Sequence, residues 1–206
     1  MSQATFALCM LPPSGPLGSQ PTVSLAEILS LAEGASQRAV LEAVALEGDL
    51  ALYEEALLGQ DRPRQPLVLD DNLSFLPDFL QGEDPDARYG CLIAHQIAVG
   101  QRYGAGLLKR RAGFELALRE ALACNRAARL GREWQAPENS IAQAGDDGDL
   151  IDDCLAQFDD AQNARQALHA IAQCRLAFLA RQEHFDFSLD QLVRYAFVVL
   201  TLEEAA

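Results

Sequence analysis

The stretch Leu107–Gly131, LLKRRAGFELALREALACNRAARLG, leaves few options for folding. Its apolar residues recur at helical spacing over about seven turns. With Phe114 at the centre of one face, Leu107, Leu118, Ala121 and Ala128 fall within about 40° of it. Ala117, Leu122 and Cys124 widen the stripe. Asn125 lies inside it, where a buried amide needs partners. Glu115 and Arg119 form an i,i+4 pair of the favourable polarity. Gly131 suits a left-handed position past the helix end. Arg119, Arg126, Arg129 and Arg132 load the C-terminal half, where the helix dipole favours cations.

Such a helix needs other helices to cover it, and the chain supplies their signals. Ser24 with Glu27 three residues on, flanked by Val23 and Ile28, predicts a capped helix start, and that helix runs to about Gly34. Gln37–Glu47 reads as a second helix, ended by Gly48. Asp49 then caps a third, Leu50–Leu58. Residues 60–84 read as an ordered connection on the core, with a short helix around Leu76–Leu80. Asp84 with Pro85 starts a helix to about Tyr103. Gly100, Gly104 and Gly106 mark a break before the long helix. Asp149 opens a helix containing Ile151, Leu155 and Phe158. Ala161–Arg181 is a second or continuous helix, with Ala164, Leu168, Ile171, Cys174, Arg175 and Phe178 near one side.

The last helix repeats the first one's start, with Ser188, Gln191, Phe187 and Leu192 in the same roles. Its run Tyr195–Leu202 is apolar nearly all round, so it must pack on several sides or lie against another protein chain. Thr5–Leu11 reads as a strand or a tucked-in arm. The expected fold is all-α: an elongated multi-helix bundle with a short extended N-terminal arm. It is read as one unit over 1–206, with lobes at 1–84 and 85–206.

Half of the 206 residues are apolar, enough for a sizeable core. No apolar run approaches the roughly 18–20 residues of a membrane span. The opening MSQATFALCMLPP lacks a basic region and a long apolar segment, so an intracellular location is expected. Five scattered cysteines, without a CxxC, read as reduced and mostly buried thiols. A net charge of −14 disfavours nucleic acid and anionic membranes as partners. Arg102–Arg132 is basic and Glu133–Asp160 acidic. Either the two segments neutralise each other, or the first is a basic ridge for an acidic partner.

Catalytic signatures are absent from the string. Lys109 is followed by Arg110, which rules out a phosphate-binding GxxxxGK[ST] loop, and no GxSxG occurs. Asp146–Asp149 lacks the ligand alternation of a calcium loop. His95, His169 and His184 lack metal-ligand spacing. Adjacent acids such as Glu54-Glu55 and Asp152-Asp153 diverge on a helix. An enzyme using acids within Asp146–Asp160 with His169 or His184 is the least favoured class. No catalytic, cofactor or metal residues are expected.

Three segments nevertheless carry a family pattern: FALCMLPP…PTVSLAEILSLAE at the start, GFELALREALACNRAARLG in the middle and EHFDFSLDQLVRYAFVVLTLEE at the end. Together they resemble a family of short bacterial proteins found with V-type rotary ATPases. That family is related to the ATPase component that caps the membrane rotor ring, the d-type component of eukaryotes. Thr5-Phe6 stands where the family usually has tyrosines, Glu120 where it has asparagine, and Arg175–Phe178 where it has arginine–tryptophan. The resemblance implies a non-catalytic, all-helical rotor-cap component. It would couple the central stalk to the membrane rotor ring, with those components as partners, at the cytoplasmic side of the inner membrane. The alternative is a free helical adaptor or assembly factor for an acidic protein. In either case the expected partner-contact residues are Arg111, Arg119, Asn125, Arg126 and Arg129.

Overall fold

The computed structural model describes residues 4–59, 65–70, 76–82, 84–135, 145–184 and 186–205. Among them the chain is all-helical, with eight α-helices, two 3-10 turns and no strand. The helix at the centre is the C-terminal one, α8 (Leu189–Ala205). Every residue from Tyr195 to Leu202 is buried. Its cover comes from α1 (Thr5–Met10), α2 (Leu25–Ser30), α3 (Ala35–Leu57), α5 (Gly106–Arg129) and α7 (Ala164–Arg181). The all-round apolar run is therefore satisfied within one chain. The long helix, α5, packs beside α8. Its Phe114 ring stacks on Phe178 of α7, with centroids 4.2 Å apart.

The α2 start closes as the sequence predicts. Ser24 Oγ accepts from the Glu27 N–H, and the Glu27 carboxylate accepts from the Ser24 N–H at 2.7 Å. The α8 start differs. Ser188 Oγ accepts from the Gln191 N–H at 3.4 Å, but the reciprocal bond is made by Asp186, which accepts from the Ser188 N–H. The Gln191 side chain turns inward and donates to the Gln182 carbonyl at 3.0 Å. Phe187 stays 45% exposed while Leu192 is fully buried, so the predicted staple does not form a buried pair.

Two expected helices are one. The chain does not break at Gly48, and α3 runs through it from Ala35 to Leu57. The glycine allows close packing: a Cβ there would stand 3.0 Å from Leu200 Cδ1 of α8. Asp49 caps no helix. It lies inside α3, 2% exposed, and accepts the N–H groups of Leu67, Val68 and Leu69 at 2.7–3.0 Å. One carboxylate thus ties the connecting segment to the bundle. The expected short helix is the 3-10 turn Asp78–Leu80. Positions 60–64, 71–75 and 83 of the expected connection lie outside the described residues.

The N-terminal segment is also corrected: Thr5–Met10 is a helix, not an extended arm. Ala4 and Ala7 of this region are buried against the core that α8 organises. Burial of a small-residue face, rather than sheet pairing, absorbs this apolar run.

α4 (Pro85–Tyr103) starts with Asp84 accepting from the Ala87 N–H at 2.7 Å and ends at Gly104, φ 75°. α5 ends in a Schellman arrangement. The Gly131 N–H reaches the Ala128 carbonyl at 3.0 Å and the Arg132 N–H reaches Ala127 at 2.9 Å. The helices expected around Asp149–Arg181 are separate. α6 (Gly148–Asp160) and α7 are joined at residues 161–163, where the Asn163 side chain caps α7. A second, smaller cluster of buried residues includes Leu46, Leu80, Tyr89, Leu92 and Ala112, so α3 contributes to both.

Candidate functional site

Residues 111, 115, 119, 122, 126 and 129 recur every three or four positions and share one face of α5. The fold treats the two halves of that face differently. The N-terminal half is enclosed by α3, α4, α7 and α8, and it is charged.

Glu115 is the centre. It is 0% exposed. Arg175 of α7 approaches it with two donors, Nε at 3.0 Å from Oε2 and Nη2 on Oε1. Arg111 Nη2 lies 3.5 Å from Oε2, and Arg119 Nε lies 3.5 Å from Oε1. Arg111 makes its main bonds to Glu47 of α3, at 2.6 and 2.7 Å. Its guanidinium also lies 4.4 Å from the Phe197 ring centroid on α8. Arg175 reaches Glu204 at 3.5 Å. Gln96 of α4 donates to Glu47 and to the Ala43 carbonyl. Three arginines and three carboxylates thus balance, and five helices meet there.

Burial by itself would push the Glu115 carboxyl upward. The guanidinium charges of Arg175 and Arg111, the Arg175 hydrogen bonds and Arg119 outweigh it and hold the group at about 2. Tyr89 of α4 is pushed upward, first by burial and then by Glu115 and Glu47. Its ring lies 3.3 Å beneath the Arg119 guanidinium, and its hydroxyl is buried with no hydrogen-bond partner among the described residues. A groove of about 390 Å³ opens above, lined in part by Tyr89, Arg119, Leu168, Arg175 and Glu204. The buried carboxylates Glu47 and Glu115 are both ion-paired to arginine, and these pairs link α3, α5 and α7.

The C-terminal half of the same face is open. Asn125 Nδ2 donates to both Asp159 oxygens at 3.0 and 3.2 Å, and Arg129 pairs with the same carboxylate of α6. The Asn125 Oδ1 atom is buried without a partner among the described residues. Arg126 and Arg132 are exposed and enter no ion pair among the described residues. Leu130 beside them is 62% exposed. Cys124 and Ala128, expected in the core stripe, are exposed as well. The apolar cover over α5 has ended by that point, and what α6 supplies there is polar, the Asp159 carboxylate on Asn125 and Arg129.

The five expected contact residues are therefore divided. Arg111 is 4% exposed and cannot meet a partner. Its helical position gave no sign of this, because only the tertiary approach of Glu47 draws it inward. Arg119 is half-exposed over Tyr89. Asn125 and Arg129 are engaged with Asp159, and Arg126 is available. Glu115–Arg119 is not the surface pair its spacing suggests but the edge of a buried cluster.

Neutralisation between the basic and acidic segments amounts to Arg129–Asp159 among the described residues. Asp147 and Asp149 pair with Arg181 instead, and Arg110 pairs with Asp190. Glu47, Tyr89 and Glu204 escaped the sequence reading. Arg175 could have been found, since it interrupts the apolar side of α7 next to Cys174.

His169 and His184 are exposed, and among the described residues no group of three His, Cys, Asp or Glu side chains could hold a metal ion. No described helix is long and apolar enough to cross a membrane. No family model, no curated protein and no solved structure matches the chain.

Proposed function

We propose that this protein is a non-catalytic rotor-cap component of a V-type rotary ATPase, of the eukaryotic d type, placed between the central stalk and the membrane rotor ring. The resemblance of its three segments supplies the specific complex. The division of α5 is the observation that favours a mechanical role. Its first half is clamped among five helices by the Glu115 hub, and at its far end Arg126, with Leu130 and Arg132 just past the helix, is exposed beside the Asp159 contact. A helix held at one end and presented at the other transmits a load without local unfolding.

Affinity purification of the tagged chain from its native membranes, in a detergent that preserves the ATPase, tests this reading. Rotor-ring or stalk proteins should co-purify. Their absence from an intact ATPase preparation overturns the proposal. The exposed Arg126 and Arg132 also suit a free adaptor for an acidic protein. That reading predicts the same partner in cells lacking the ATPase.

A further inference from the structure

α6 and α7 pack as a helical hairpin, and two of the five cysteines lie inside it. Cys154 is 2% exposed and Cys174 is 5% exposed. Cys154 Sγ donates to the Ala170 carbonyl at 3.7 Å, and Cys174 Sγ donates to the Leu150 carbonyl at 3.3 Å. Ala170 lies one turn before Cys174, and Leu150 lies one turn before Cys154. Each thiol therefore reaches the turn that precedes the other.

This register requires antiparallel helices. Helical side chains lean toward the N-terminus of their own helix. In an antiparallel pair those leanings oppose each other, so the two sulfurs converge. Each thiol is the largest single influence on the other's acidity. The exposed Cys9 and Cys124 have no such arrangement.

We propose that Cys154 and Cys174 are a redox pair that closes to an intramolecular disulfide when the protein meets a peroxide. The acidities are divided accordingly. The neighbouring Cys174 lowers the Cys154 thiol against the opposing effect of burial, and the Arg175 charge adds to the lowering. Cys174 is pushed upward and retains its proton.

The Cys154 thiolate attacks one oxygen of hydrogen peroxide. The O–O bond breaks, and hydroxide leaves and takes up the proton Cys154 released, forming water. The Cys174 sulfur then attacks the sulfenic sulfur of Cys154. The S–O bond breaks, and the hydroxyl departs with the Cys174 proton as a second water. Two thiols lose two electrons in total, and one peroxide becomes two waters. Burial slows the reaction and limits it to small oxidants, but it also leaves each sulfur only one partner. The new bond would fasten α6 to α7 beside Arg175 and its hub. This inference is independent of any role in a rotary complex.

The test treats the intact chain with hydrogen peroxide, blocks remaining thiols under denaturing conditions and maps unreduced peptides by mass spectrometry. One linked pair containing Cys154 and Cys174 is expected, reversible by a reductant, with two free thiols lost per linked chain. Peroxide added to urea-unfolded chain should give scrambled pairings instead. Cys174→Ser should abolish the linked species and leave Cys154 reactive to dimedone. The proposal is overturned if both thiols remain free after Cys9 and Cys124 have oxidised. It is equally overturned if the folded chain gives the same mixed pairings as the unfolded one. The mapping on the unmutated protein needs no variant to fold.

Discussion

Arg175 on α7 holds Glu115 on α5 through a two-pronged contact, with both guanidinium donors on the two oxygens of a carboxylate that has no solvent exposure. Arg111 and Arg119 stand on the same carboxylate from their positions one turn either side on α5. Replacing Glu115 by Gln leaves three clustered guanidinium groups without their shared counter-charge. Breaking a buried pair from one side typically costs about 3–5 kcal/mol. Urea unfolding of Glu115→Gln should show a lower midpoint with an unchanged slope. An unchanged midpoint would mean that the hub is not a stabilising element.

The same group sets a pH dependence. Its carboxyl titrates at about 2 in the folded chain against an ordinary 4.5. The folded value is depressed, so the fold favours the ionised form. The resulting stability is complete above about 4.5 and is lost as pH falls toward 2. Unfolding free energy measured between pH 5 and 2 should fall more steeply in the unmutated protein than in Glu115→Gln. Parallel curves would remove Glu115 from the account of acid sensitivity.

Asp49 gives a local prediction. It accepts three consecutive N–H groups from residues 67–69 while buried inside α3. Asp49→Ala leaves these donors unsatisfied, at about 1–3 kcal/mol for each one that stays buried. Amide hydrogen exchange at Leu67, Val68 and Leu69 should accelerate first, before that of α8. Uniform acceleration across the chain would show that Asp49 supports the whole fold rather than this segment.

Phe114 is 1% exposed and stacked on Phe178. Phe114→Ala should cost about 3–5 kcal/mol, seen as a lower thermal midpoint. Phe178→Ala should be comparable, and the double variant should lose less than the sum, because the two rings share one contact.

Arg126 and Arg132 are surface residues with no ion pair among the described residues. Charge reversal of both should change stability by no more than about 0.5 kcal/mol. Capture of an acidic partner should weaken, with a smaller salt dependence than that of the unmutated chain. Full retention of binding would assign the contact to another face.

The periodicity of the chain already carried much of this architecture. The Phe114 stripe, the Ser24–Glu27 box, the Asp84–Pro85 start and Gly131 are local signals, each fixed by residues within one or two turns. Local signals also explain the errors. Gly48-Asp49 has the form of a helix end followed by a cap, but Leu200 packs against the glycine and the Leu67–Leu69 amides claim the aspartate. Thr5–Met10 has strand-like composition, yet it lies against helices and offers no strand a partner among the described residues.

The candidate site was less legible than the fold. Arg111, Arg119, Arg126 and Arg129 lie on one face by spacing, and spacing says nothing about how far along that face the neighbouring helices extend. The chain by itself determined the helices, most of their boundaries and the position of charge on each. Only the packing of α3, α4, α7 and α8 around α5 decided that Glu115 and Arg111 lie inside while Arg126 and Arg132 lie outside. Helix formation is governed by contacts a few residues apart. Burial of a charge depends on counter-charges such as Glu47 and Arg175, tens of residues away in sequence, arriving together.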